Sequence, residues 1–356
     1  MFYMQTLRVS GFDGFIEDDA LEILSHLKTL SLKNSYFGNI NCIFGYLKGL
    51  MGIPVGLFRN LRELRELDLS RNKLTSISKY HFSGLTDLEF LDLSGNQIRY
   101  MGIDTFSKLF HLAYISLSGN YLHFLGDETF RKNKKLQTVL IDYNANLHLA
   151  DYSFGKLKSL SKVNLSSSGL EIIPEYVFDN SLNLEILILN RNFLQILPEG
   201  VFNGLQQMKK LDLSENSISF ISDEVFSSLS NLEDLNLRFN QLSEINSVIF
   251  SKTVNLRHLN LGYNKIKTIS LFAFRYSKKM SSLDLSNNLY EMKYGNDTNP
   301  FLHCDELKKL TLEGNLIEDF PSSIKYLREL RILNLRHNNI EKIWVSTLFV
   351  IKYFFL

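Results

Sequence analysis

The sequence predicts an α/β-type solenoid, a curved horseshoe with a parallel β-sheet on its concave face and loops or short helical turns on its convex face. Two observations carry this. Asparagine recurs every 24 residues, at Asn72, Asn96, Asn120, Asn144, Asn192, Asn216, Asn240, Asn264 and Asn288, with Ser168 in the one missing slot. Each slot closes a frame of the form L-x-x-L-x-L-x-x-N-x-L, as in Leu64, Leu67, Leu69, Asn72 and Leu74. A second register runs ten residues behind it, through Phe82, Phe106, Phe130, Phe154, Phe178, Phe202, Phe226, Phe250 and Phe274.

Two interlocked registers of this period are the signature of leucine-rich repeats. The L-x-L segment alternates apolar and polar residues, so it reads as a short strand with one buried face. No single repeat can bury that face alone, so stability must come from stacking. The asparagine marks the turn out of the strand, where a buried amide can satisfy backbone groups that the bend leaves unpaired. Ser168 keeps a hydroxyl but loses the amide donors, which predicts a weaker link. The phenylalanines fill the wider outer half, where stacked rings add packing energy.

Counting slots gives about fifteen repeats in one elongated domain spanning residues 1–356, a length that a solenoid tolerates because it grows along one axis. The stretch 35–60 is irregular. The frame puts an intervening strand near Ile43 and Gly45, a poor match; a bulge and a sequence lesion both account for it, and the regularity of 61–288 favours the lesion. The next slots, Asn315 and Asn338, follow after 27 and 23 residues, with an insertion expected within 289–303 at "MKYGNDTNP". The last repeat, 339–356, reads as truncated.

The balance of 39 basic and 38 acidic residues argues against a whole-chain binder of nucleic acid or membrane surface. The local run Arg131, Lys132, Lys134 and Lys135 reads as a solvated outer face. "MFYMQTLRVSGFDG" has no secretory-signal pattern, and the apolar stretch from Ile343 to Leu356 is short of the ~20 residues that span a bilayer. With no capping module at either end, an internal piece of a longer protein is expected. Cys304 occupies a core leucine position, so a buried thiol is expected. Cys42 lies about eleven repeats away, on the order of 50 Å, too far for a disulfide.

No catalytic motif is present, and the eight histidines are scattered, which suits surface or packing roles better than metal ligation. Neither enzyme activity nor a cofactor is expected. Two N-x-[ST] sequons stand at Asn164 and Asn296, the first on a strand of the concave sheet, the second in the insertion. Chance accounts for short sequons as readily as use does. The frame places Asp234, Asn236, Arg238, Phe239, His258, Asn260 and Tyr263 on the solvent side of the concave sheet, with Phe239 and Tyr263 in one register. Aromatics beside an arginine are what a protein-binding patch uses, and ordinary surface variation is the competing account.

The 24-residue form across roughly 43–300 resembles the typical repeat class of animal extracellular proteins. The strands "LDLSRN", "LDLSGN" and "LDLSEN", the long unbroken array, and the shift from "NPFLHCDELKKLTLEGNLI" to "LNLRHNNIEKIW" resemble ectodomains of the Toll and Toll-like receptor family, its invertebrate Toll branch above all. That resemblance implies a receptor ectodomain on the outer side of the plasma membrane. It implies recognition of a protein ligand, often a cystine-knot cytokine, or of a microbial molecule, then dimerisation and signalling in immunity or development. The chain departs from the family pattern in having no cysteine-rich caps, membrane helix or TIR domain, so membrane attachment would come only through segments absent from it. Slit-like, chaoptin-like and small-proteoglycan-like proteins use similar repeats, which leaves adhesion or matrix function as an alternative. An intracellular scaffold is a further one, and the phenylalanine register argues against it.

Overall fold

The computed structural model describes residues 4–11, 13–14, 21–37, 53–292, 300–320, 324, 326–341 and 353–355. Cys42, Asn296, the expected strand near Ile43 and most of the expected insertion and of the last repeat lie outside them.

The chain divides into two compact units. The first, Met1–Leu170 with Tyr176–Leu184, carries parallel strands Thr6–Arg8, Thr29–Ser31, Glu66–Asp68, Phe90–Asp92, Tyr114–Ser116, Thr138–Leu140 and Lys162–Asn164. The second, Glu171–Glu175 with Glu185–Leu356, carries Ile186–Ile188, Lys210–Asp212, Asp234–Asn236, His258–Asn260, Ser282–Asp284, Lys309–Thr311, Ile332–Asn334 and Tyr353–Phe355. Within each unit the strands pair in chain order and in register, Leu67 against Leu91 and Leu211 against Leu235. The expected parallel sheet is therefore present. Across the irregular early stretch, Leu30 pairs directly with Leu67.

The alternation of the frame explains the packing. In nearly all of the described L-x-L strands the central aliphatic residue is buried and its neighbours are more exposed, as in Lys210, Leu211 and Asp212. The asparagine slots form a hydrogen-bonded ladder, buried from Asn72 to Asn315 and half-buried at Asn338. Asn216 Nδ2 donates to Leu189 O and Leu213 O, each at 3.0 Å, and its Oδ1 accepts from Leu194 N at 3.1 Å. Asn72, Asn96, Asn120 and Asn144 in the first unit, and Asn192, Asn240, Asn264, Asn288, Asn315 and Asn338 in the second, donate in the same way to the carbonyl three residues earlier. Ser35 N reaches Asn72 Oδ1 at 2.8 Å, so the ladder closes across the irregular stretch.

At the exceptional slot, Ser168 Oγ donates to Ile141 O at 3.0 Å, and the preceding turn is re-routed. Asn146 takes the place of the usual leucine and adopts a positive φ of 63°, Leu147 is buried instead, and Leu147 N donates to Ser168 O at 3.0 Å. Backbone thus supplies one acceptor that an asparagine amide supplies elsewhere.

On the opposite side the phenylalanines stack at 5.7–6.2 Å from Phe82 to Phe178 in the first unit and at 6.0–6.3 Å from Phe202 to Phe301 in the second. Parallel strands sit about 4.8 Å apart, so each stack opens toward its aromatic side. Phe301 continues the register beyond Phe274, which the 24-residue spacing alone does not find. Among the described residues the outer segments are mostly turns, with short parallel strand pairs such as Ser76–Ile77 with Tyr100–Met101 and Glu244–Ile245 with Thr268–Ile269, 3-10 turns at Glu22–Leu24 and at Ile324 and Tyr326, and no α-helix.

Cys304 is fully buried, and burial pushes its thiol up to about 12. Alkylation by iodoacetamide at pH 8 is therefore expected to spare Cys304 in the native protein and to label it after unfolding in guanidinium, since only the thiolate reacts. Peptide mapping by mass spectrometry reads this out; native labelling of Cys304 would contradict its core position.

Candidate functional site

The inner surface is built by the residues that alternate with the buried leucines and by the turn that follows each strand. The residue just before each asparagine adopts a left-handed conformation. In the second unit these are Arg191, Glu215, Phe239, Tyr263, Asn287 and His337, with φ between 52° and 58°. Glycine takes this position at Gly95, Gly119 and Gly314 without steric cost. A residue with a Cβ costs roughly 1–2 kcal/mol there. Phe239 and Tyr263 bear that cost and remain exposed at the edge of the sheet.

Their rings lie 4.4 Å apart, centroid to centroid, and are inclined by 34°. Arg238 lies against both, its Cζ 4.7 Å from the Phe239 centroid and 4.3 Å from that of Tyr263. Such a cation is held by the ring quadrupoles, by ~0.5–2 kcal/mol depending on desolvation. Asp284, two strands further on and not singled out by the sequence, pairs with the guanidinium at 3.4 Å. Gly262 leaves room for it, since a Cβ there would stand 3.2 Å from Arg238 Nη1. The structure thus brings Arg238, Phe239 and Tyr263 together as one edge cluster.

The other sequence-selected residues separate by role. Asn236 Oδ1 accepts from Arg238 N at 3.2 Å and Asn260 Oδ1 from Gly262 N at 3.0 Å, so both amide oxygens brace the turn. Asp234 faces Lys210 at 3.4 Å, and His258 is exposed beside it in the pairing register. Asn164 is half-buried on its strand and its Oδ1 accepts from Ser166 N at 3.1 Å.

In the first unit a cleft lies on the flank, lined by Ile77, His81, Tyr100, Met101, His123 and Phe124. His81 Nδ1 accepts from Ser78 N at 2.9 Å, and burial lowers the imidazole pKa. Both effects keep it neutral, so it is a packing histidine there. Among the described residues no group of three metal-ligating side chains occurs. The basic run at Arg131, Lys132, Lys134 and Lys135 is exposed, as a solvated face should be.

A leucine-rich-repeat family model matches residues 47–98, 182–242 and 230–289. Among solved structures, the chain is similar to Toll in the Drosophila Toll–Spatzle complex at 26% identity. There it covers 94% of this chain and 44% of that one with a TM-score of 0.85; in the glycosylated form of the complex the figures are 98%, 46% and 0.88. It shares its fold with TLR13 in a complex with ssRNA13, at 24% identity, 95% and 51% coverage and a TM-score of 0.73. It also shares it with an internalin of Listeria monocytogenes, at 20% identity, 95% and 88% coverage and 0.70. No curated protein matches the sequence. The chain spans less than half the length of the Toll chains. A repeat array of this form binds rather than catalyses. The asparagine ladder, the phenylalanine stack and these likenesses together make the chain a leucine-rich-repeat solenoid of the kind built into Toll-like ectodomains.

Proposed function

We propose that the chain is the ligand-binding part of a Toll-like transmembrane signalling receptor, placed outside the plasma membrane and acting in innate immunity or development. One observation carries the reading at residue level. Arg238, Phe239 and Tyr263 form one solvent-facing edge cluster in which the guanidinium lies against both exposed rings. Exposed aromatics around an arginine are the usual anchors of a protein interface. A protein ligand of the cystine-knot kind, with receptor dimerisation to follow, suits this surface and the likeness to Toll bound to Spatzle. A glycan on Asn164 would stand on the strand Lys162–Asn164 of the first unit and limit where a ligand can lie on that unit.

RNA is the competing ligand, since TLR13 is bound to it. Carboxylates on the inner strands, Asp68, Asp92, Asp212 and Asp284 among them, oppose a phosphate backbone. Among the described residues no helix is long and apolar enough to cross a membrane, so attachment would come through other segments.

Sequencing the full transcript is the first test. A membrane span followed by a TIR domain is expected; an anchor without a TIR domain would give the adhesion reading instead. The site is tested by surface plasmon resonance with Drosophila Spatzle as the probe. Arg238→Ala and Phe239→Ala are each expected to weaken binding tenfold or more, about 1.4 kcal/mol or above. Unchanged affinity in both would remove the cluster from the interface.

A further inference from the structure

A second aromatic pair lies on the inner face of the first unit, and its surroundings differ from those of Phe239 and Tyr263. Phe90 and Tyr114 are direct partners on adjacent strands, and their rings stack at 4.4 Å with an interplanar angle of only 8°. Both are half-buried, so one broad aromatic surface remains open to solvent. Two residues along from Phe90, on the same face, stands Asp92, and Asp68 is its register partner on the neighbouring strand Glu66–Asp68, on the side away from Tyr114. Asp142 completes the wall, its Oδ1 accepting from Ser118 Oγ at 2.5 Å.

Among the described residues these carboxylates take their hydrogen bonds from neutral donors. Asp68 accepts from Ser31 Oγ and Ser70 N, and Asp92 from Ser94 N. Among the described residues none of the three has a salt-bridge partner, and no cation of the chain lies over either ring. Of the nearby basic residues, Arg65 is tied to Glu89 at 3.6 Å, Arg71 lies at the left-handed edge position, and Lys162 is two strands beyond Tyr114. The Tyr114 phenol is held above its ordinary pKa, by burial first and then by the charges of Asp92 and Asp142. The field over the rings is therefore negative.

The second unit shows what such a pair attracts. There the chain supplies its own cation, Arg238, over both rings and joined to Asp284. At Phe90 and Tyr114 the rings and the carboxylates are present without a cation from among the described residues. We propose that this platform docks a cationic segment of a protein partner, with an arginine or lysine laid over the Phe90–Tyr114 stack and drawn by Asp68, Asp92 and Asp142. Charge complementarity names the occupant: ring faces and carboxylates both favour a cation, and both disfavour the phosphates of RNA. The proposal rests on the inner face being a binding surface, not on receptor membership.

Fluorescence anisotropy in 150 mM salt tests it, with a fluorescein-labelled (Arg-Gly)5 peptide as the probe and (Glu-Gly)5 and a single-stranded RNA decamer as comparisons. The combined variant Asp68→Asn, Asp92→Asn, Asp142→Asn removes three charges and leaves an acceptor oxygen at each position. It is expected to weaken peptide binding at least tenfold. Phe90→Leu with Tyr114→Leu should do the same. The equally charged control Asp87→Asn, Glu128→Gln, Asp151→Asn, at exposed sites elsewhere in the first unit, should change it less than twofold. Melting curves check the fold; if the triple variant fails to fold, Asp92→Asn alone should still weaken binding about threefold. Equal losses in both triple variants, full binding after loss of the rings, or preference for RNA would each overturn the proposal. A transcript without a TIR domain would sink the receptor reading and leave this result standing.

Discussion

Leu213→Asp is expected to unfold the second unit, or at least to remove its cooperative thermal transition. Leu213 is fully buried, in one column with Leu189 and Leu237, which are buried as completely. Two losses combine. Removing a buried leucine side chain costs about 2–5 kcal/mol. Placing a carboxylate in its stead, with no basic partner in reach, adds several kcal/mol more or forces protonation. Whole domains are stable by only about 5–15 kcal/mol. The backbone suffers too, because Leu213 O accepts from both Asn216 and Asn240. Circular dichroism melts read the effect, and limited proteolysis localises it: cleavage should open in the second unit first, since repeats depend on their neighbours. Leu213→Met, which conserves volume, should cost below about 1.5 kcal/mol. A Leu213→Asp protein that melts like the parent would mean that this register does not face the core.

The period explains how much of this was legible in the sequence. A leucine, an asparagine or a phenylalanine recurring at 24 residues can only be satisfied by stacking, so the strands, the ladder and the aromatic column follow from the spacing. Phe301 escaped because the insertion shifts it off the 24-residue count, although Cys304 three residues later keeps its own core column. The left-handed column was marked only where glycine stands, at Gly95, Gly119 and Gly314; at Phe239 and Tyr263 the side chains hide the backbone requirement.

The two binding surfaces were legible to different degrees. Phe239 and Tyr263 were placed together by register, and Arg238 beside them by sequence. Asp284 was not, because the side chain that reaches it extends across two strands, and side-chain reach has no period. Phe90 and Tyr114 sit inside strands, where aromatic residues are expected for their β-propensity alone. Only their pairing with each other, beside the paired Asp68 and Asp92, separates a platform from ordinary strand composition.

Asn216→Ala is expected to cost about 1–3 kcal/mol, chiefly from the buried Leu194 N–H left unpaired, while Leu189 O and Leu213 O each lose one of two donors and keep Asn192 and Asn240. The side chain links two turns of the solenoid at once: Nδ2 serves Leu189 O in the preceding repeat and Leu213 O in its own, and Oδ1 receives Leu194 N. All of these groups are out of reach of water, so solvent cannot replace the amide. The chain contains its own comparison. At Ser168 a hydroxyl still donates to Ile141 O, the equivalent of Leu189 O, but the Oδ1 acceptor is gone and the turn has been rebuilt around Asn146. Residues 192–195 carry no such rebuilt turn, because Leu194 N is still aimed at the amide oxygen. Asn216→Ser should therefore recover only part of the loss, by retaining the donor. The order of stability, asparagine above serine above alanine, is what guanidinium unfolding of the three proteins should return. Serine equal to asparagine would mean that the acceptor contributes nothing, and alanine equal to asparagine would mean that the ladder follows the fold without supporting it.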